Sequence, residues 1–125
     1  MILDTNGLSA LAEGVAALEP ILRKATELAI PVIVLGEYRY GISQSRHRLH
    51  YERWLSEYLP GFRILDVDEF TTLSYCAVRI ELKRAGTPIP SNDVWIAALC
   101  RQHSLPVISR DRHFDAVSGI TRIEW

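Results

Sequence analysis

The stretch Met1-Ile2-Leu3-Asp4-Thr5-Asn6 decides the fold. A short apolar run ends on an aspartate and breaks at once into Thr5-Asn6-Gly7. That is how a buried parallel strand reads when it delivers an acid to the carboxyl edge of a sheet. Ligands in open α/β sheets bind at that edge. The pattern returns twice. Pro31-Val32-Ile33-Val34-Leu35-Gly36 leads to Glu37, and Pro106-Val107-Ile108-Ser109-Arg110 leads to Asp111. A fourth acid, Asp93, opens a helix in Ser91-Asn92-Asp93.

Between these stretches apolar residues recur at helical spacing. Leu8 to Glu13 reads as a short helix with Asn6 as its cap. Val15 to Ala29 reads as another, broken near Pro20. Strand two covers Val32–Leu35. Glu37 to Ser45 and His47 to Leu59 read as helices, and Phe62–Val67 as a third strand. Asp68 is placed to cap a long helix, Glu69 to Arg84, that Ala85-Gly86 ends. A helix starting at Ser91 or Asn92 runs to His103. Strand four is Val107–Ser109, Arg112–Val117 is a turn or short helix, and Ile120–Trp125 is a last strand. Strands alternating with helices predict one α/β domain over residues 1–125, with a mostly parallel central sheet of about five strands flanked by helices.

The composition agrees with one domain. The chain has 125 residues, 48% of them apolar, enough for a proper core. A formal net charge of −1 argues against a bulk polyanion binder. The 12 arginines outnumber the 2 lysines, and arginine suits phosphate contacts where geometry matters. Cys76 and Cys100 fall in helical patterns and read as small buried apolar residues in a reducing compartment. Asp4 interrupts any signal peptide, and no apolar run approaches a membrane span, so the expectation is a cytoplasmic protein. Tyr51, Trp54 and Tyr58 spread over more than one helix face, which fits plain packing or a partner surface.

Each acid taken alone has an ordinary explanation. Asp4, Asp93 and Asp111 could cap helices, and Glu37 could be a first-turn acid favoured by the helix dipole. Asp93, however, shares a helix face with Ile96, Ala97 and Cys100, and a carboxylate at the head of a buried stripe needs a positive partner or a metal. Taken together, three strands each hand over an acid at one sheet edge. Four like charges in one cleft repel unless a cation sits among them. Oxygen ligands suit Mg²⁺ or Mn²⁺. His47 and His50 are spaced as a helical pair, but no thiol or acid cluster accompanies them to make a zinc site. There is no phosphate-binding Gly-rich loop and no nucleophile motif. Such a site suits hydrolysis by metal-activated water, with a phosphodiester the usual substrate.

These motifs make the chain resemble the PIN-domain ribonucleases, most closely the VapC toxins of bacterial toxin–antitoxin pairs. The resemblance runs from Leu3-Asp4-Thr5-Asn6, through Val34-Leu35-Gly36-Glu37-Tyr38-Arg39-Tyr40-Gly41-Ile42, to Ser91-Asn92-Asp93-Val94-Trp95-Ile96-Ala97-Ala98 and Ser109-Arg110-Asp111-Arg112-His113-Phe114. Each motif is short, but all of them in order at this length are specific. The resemblance implies a Mg²⁺-dependent endoribonuclease, with Mn²⁺ as a substitute, cutting a tRNA or ribosomal RNA so that translation stops. It implies that Asp4, Asp93 and Asp111 hold the metal, and that Glu37 binds a second metal or orients the water. Thr5 or Asn6 matches the family's small polar support, and Asp115 stands where some members place a fifth acid. It further implies an antitoxin that blocks the cleft and a homodimer. Arg39, Arg110 and Arg112 are candidates for RNA phosphate contacts. Gly36 departs from the family, where a larger residue is commoner before the glutamate. Two rivals remain. A non-catalytic PIN-like binding module should lack one of the acids, and none is lacking. A Mg²⁺ phosphatase using an aspartyl-phosphate wants a second aspartate two residues after the first, where this chain has Asn6.

Overall fold

A computed structural model describes all residues from 1 to 125. In chain order the elements are β1 (Ile2–Leu3), α1 (Thr5–Ala12), α2 (Glu19–Leu22), β2 (Ala29–Pro31), α3 (Val32–Ser43), α4 (Arg48–Tyr58), β3 (Arg63–Leu65), α5 (Glu69–Ala85), α6 (Ser91–His103), β4 (Val107–Ile108) and β5 (Arg122–Ile123). Single 3₁₀ turns occupy Ala16–Leu18, Leu59–Gly61 and Arg112–Ala116.

The five strands form one parallel sheet in the order β3-β2-β1-β4-β5. The chain builds outward from β1 in one direction, then returns to build on its other side. The strand order therefore reverses beside β1 and β4, the place where such sheets leave a crevice. Asp4 and the Ser109-Arg110-Asp111 segment leave the sheet there, and Asp4 N–H still donates to the Ile108 carbonyl at 3.2 Å.

The strands are short because helices start almost at their ends. Asp4 caps α1 itself, its carboxylate accepting from Thr5 N–H, so Asn6 is not the cap. Gly7 lets α1 lie against β4: a Cβ there would sit 2.8 Å from the Ile108 carbonyl oxygen. Pro20 falls in the first turn of α2, and the expected long helix shrinks to the 3₁₀ turn Ala16–Leu18 followed by the single turn of α2.

The largest departure is at strand two. The strand is Ala29–Pro31, and Val32-Ile33-Val34-Leu35 forms the start of α3. A four-residue apolar run cannot by itself distinguish a buried strand from a buried helix. Here only Val34 of the run is buried, which is a helical pattern rather than that of a central strand. Glu37 consequently lies in the second turn of a helix and not at a strand end.

The core sits between the sheet and the helices. Ile2, Leu3, Ile30, Val107 and Ile108 are fully buried from the strands, and Leu8, Val34, Val78, Ile96 and Leu99 from the helices. Each such side chain contributes about 1.5–3 kcal/mol by leaving water. Asp68 caps α5 in a reciprocal capping box with Thr71, and Gly86 closes the helix in the left-handed conformation. Thr71, itself buried, also donates to Gln102 of α6 at 2.6 Å, tying α5 to α6. Cys100 is buried as expected, but Cys76 is exposed, on the outer face of α5. No helix is long and apolar enough to cross a membrane.

Candidate active site

Asp4 is the most enclosed acid, 5% exposed. Its Oδ1 accepts from Thr5 N–H at 2.7 Å. Its Oδ2 accepts from the Ser109 hydroxyl at 2.8 Å and from Asn6 Nδ2 at 3.1 Å. Ser109, fully buried, accepts in turn from Asn6 Nδ2 at 3.2 Å and from Asp111 N–H at 2.9 Å. Asn6 completes this corner by accepting from Arg110 N–H at 3.0 Å. Burial pushes the Asp4 carboxyl above the ordinary aspartate value. The bonds from Ser109 and Thr5 oppose that, and the charges of Asp93 and Glu37 add to it.

Glu37 reaches the same place from α3. Thr5 Oγ1 donates to its Oε2 at 2.6 Å, and Asn92 Nδ2 donates to its Oε1. Asn92 is therefore engaged with Glu37 and does not cap α6, which starts after Pro90 with no side-chain cap. Asp93, in the first turn of α6, has a side chain only 14% exposed. Its Oδ2 lies 2.9 Å from His113 Nδ1, and that same nitrogen lies 2.9 Å from Asp111 Oδ1. Asp111 also caps the 3₁₀ turn through His113 N–H. Burial raises the Asp93 carboxyl, with the His113 hydrogen bond opposing and the charges of Asp111 and Glu37 adding. His113 is held above the ordinary imidazole value, first by its bond to Asp93 and then by the nearby Asp111.

A circuit of polar contacts thus joins four separate parts of the chain: Asp4 to Thr5, Thr5 to Glu37, Glu37 to Asn92, Asp93 to His113, and Asp111 through Ser109 back to Asp4. The ligand atoms of Asp93, Asp111 and His113 all lie within 4.8 Å of one another, close enough to hold one metal ion. His113 Nδ1 is the one nitrogen among these acid oxygens.

The other expected residues fall elsewhere. Asp115 turns away from the cluster into a two-pronged pair with Arg122, at 2.8 and 3.1 Å, which holds its carboxyl below the ordinary range. Arg39 and Arg112 are exposed and make no ion pair. Arg110 lies over the ring of Trp125. Ser109, Asn92 and His113 also belong to the site, although no motif of the sequence marks them. Ser109 lies just past β4, and a small polar residue closing an apolar run is its one signal in the sequence. His113 is two residues beyond Asp111 in a tight turn, where both side chains can face one point. Of the three aromatics that fit packing or a partner surface, Tyr51 is partly buried against the core. Trp54 and Tyr58, with Leu11, Leu28 and Phe62, line a groove of about 460 Å³.

The model of the family described as PIN domain matches residues 1–120. "Ribonuclease VapC5" of Mycobacterium tuberculosis is 29% identical over 125 residues, covering 98% of this chain and 91% of that protein. The structure of VapBC2 from Rickettsia felis bound to a DNA fragment from its promoter superposes with a TM-score of 0.85 at 25% identity, covering 99% of this chain and 97% of the other. DNA-bound VapBC from Salmonella typhimurium gives a TM-score of 0.86 at 25% identity, with coverage of 99% and 96%.

Proposed function

The chain belongs to the PIN domain family, and we propose that it is a metal-dependent endoribonuclease, the toxin of a toxin–antitoxin pair. The observation that carries this reading is the convergence of Asp4, Glu37, Asp93 and Asp111 in one hydrogen-bonded circuit at the sheet's switch point. The resemblance to relatives named as VapC ribonucleases supports it.

The donor set fits a hard divalent cation. Carboxylate oxygens suit Mg²⁺, and the one imidazole nitrogen extends the choice to Mn²⁺. Asp93 and Asp111 would hold the ion together with Asp4, with Glu37 and the His113 nitrogen beside it; Asp115, committed to Arg122, is left out. A bound divalent ion supplies Lewis-acid activation of water and neutralises charge on the phosphate. Ser109 and Thr5 fix the orientation of Asp4, so its oxygens need no reorganisation when substrate arrives. Glu37, held by Thr5 and Asn92, is placed to orient the attacking water and accept its proton. Arg39 and Arg112 have free guanidinium groups for RNA phosphates.

The substrate in this reading is a tRNA or ribosomal RNA whose cutting halts translation in the cytoplasm. The solved VapBC complexes support an antitoxin partner for this chain. We place that partner's apolar segment in the groove of Leu11, Leu28, Trp54, Tyr58 and Phe62, and expect the toxin to form a homodimer. Hydrolysis by activated water leaves 5′-phosphate and 3′-hydroxyl ends, and chelation abolishes cutting. Asp93→Asn keeps the shape of the site but lowers cleavage roughly 100-fold or more, through lost positioning of the ion. Cleavage by the metal-free protein with 2′,3′-cyclic phosphate ends, or full activity of the Asp93→Asn protein, would overturn the reading. Turnover of a phosphomonoester without RNA cleavage would favour a phosphatase, and no turnover of either a binding module.

A further inference from the structure

β5 runs parallel to β4, with Val107 opposite Arg122 and Ile108 opposite Ile123. The residues that follow β5 therefore emerge at the same sheet edge as Ser109, Arg110 and Asp111. Arg122, its side chain 10% exposed, fastens that corner. Its Nη1 donates to the Ser109 carbonyl at 3.0 Å and lies 3.3 Å from Glu124, while its other nitrogens hold Asp115. Arg110 is fixed from the opposite side, its N–H donating to the Asn6 amide that also supports Asp4. The exposed Arg110 guanidinium, one residue from Asp111, makes no ion pair. It lies over the half-buried Trp125 ring, 4.7 Å from the centroid.

We infer that Arg110 and Trp125 form a stacking platform for an unpaired RNA base next to the phosphate addressed by the acidic cluster. The inference rests on the endoribonuclease reading and narrows its substrate class. Any base has a π face that an indole or a guanidinium plane can cover, so such a layer binds single-stranded nucleotides with little regard to identity. A base locked inside a duplex offers no free face, so the platform selects loops and single strands over paired stems. The edge of the same guanidinium remains free to donate to a neighbouring phosphate. Arg122 ties β5 to the Ser109 carbonyl, and Arg110 is the residue between Ser109 and Asp111.

The test is binding of a fluorescent single-stranded oligoribonucleotide, in EDTA and at low salt, so that affinity is read without turnover. A blunt duplex of the same sequence is the comparison. The wild-type chain should prefer the single strand. Trp125→Ala should weaken single-strand binding about tenfold and erase the preference, and Trp125→Phe should stay within about threefold of wild type. Arg110→Lys, which keeps the charge and loses the plane, should weaken binding without changing its salt dependence. Thermal melts establish that each variant is folded. Wild-type affinity in Trp125→Ala or Arg110→Lys overturns the platform, as does a Trp125→Phe protein no better than Trp125→Ala, or a wild-type chain with no single-strand preference. If the protein cuts RNA while Trp125→Ala binds normally, the platform fails and the nuclease stands. If it binds single strands through Trp125 and never cuts, the nuclease reading fails and the platform stands.

Discussion

Ser109→Ala tests whether the site is preorganised by buried polar contacts. Ser109 is fully buried, and its hydroxyl is saturated: one donor bond goes to Asp4 at 2.8 Å, and two bonds are accepted, from Asp111 N–H at 2.9 Å and Asn6 Nδ2 at 3.2 Å. A hydrogen bond to a charged group contributes about 1.5–3 kcal/mol and a neutral one about 1 kcal/mol. Asp111 and Asn6 are only partly buried, so water recovers part of the two neutral bonds. The expected loss is therefore about 3 kcal/mol at neutral pH, mostly from the Asp4 bond, and urea unfolding without divalent ions measures it. In an Asp4→Asn background the Ser109 bond is neutral, and the same substitution should cost about 1 kcal/mol less. A loss below about 1 kcal/mol, or an equal loss in both backgrounds, would show that the buried hydroxyl does not hold an ionised Asp4 and would refute the reasoning.

Gly7→Ala should cost about 1–3 kcal/mol by overpacking, because the new Cβ meets a backbone oxygen that cannot step aside; an unchanged melting temperature would contradict the contact. Gly36→Ala should raise stability by about 0.5–1 kcal/mol, since the site is helical and a Cβ meets nothing within 4 Å; a loss by urea titration would mean that α3 needs the glycine. The Asp68 carboxyl lies below its ordinary value of 3.8, first because it accepts the Thr71 backbone bond. A depressed folded value means stability that is present above the ordinary value and lost as pH falls through the folded one. The melting temperature of Asp68→Ala should accordingly sit below wild type at neutral pH and converge with it in acid; a constant gap would assign the loss to something other than the ionised cap.

What the chain's sequence determined by itself was the alternation of elements, and with it a parallel α/β sheet whose carboxyl edge gathers acids. Apolar period and capping residues are local signals, so Asp68, Gly86 and the helix from Ser91 to His103 were legible one stretch at a time. Asp4 and Asp111 were legible because each comes within three residues of the end of a short apolar strand. Tertiary structure decided the rest. Val32-Ile33-Val34-Leu35 is apolar enough for either state, and only the packing of α3 made it a helix and moved Glu37 into that helix. Asp115 pairs with Arg122, which the sequence around Asp115 does not announce. Ser109 meets Asp4 across 105 residues, and Asn92 meets Glu37 across 55. His113 bridges to Asp93 across 20. Hydrogen bonds at such separations leave no periodic trace in the chain, because they depend on where whole elements come to rest and not on the conformational preference of any one of them.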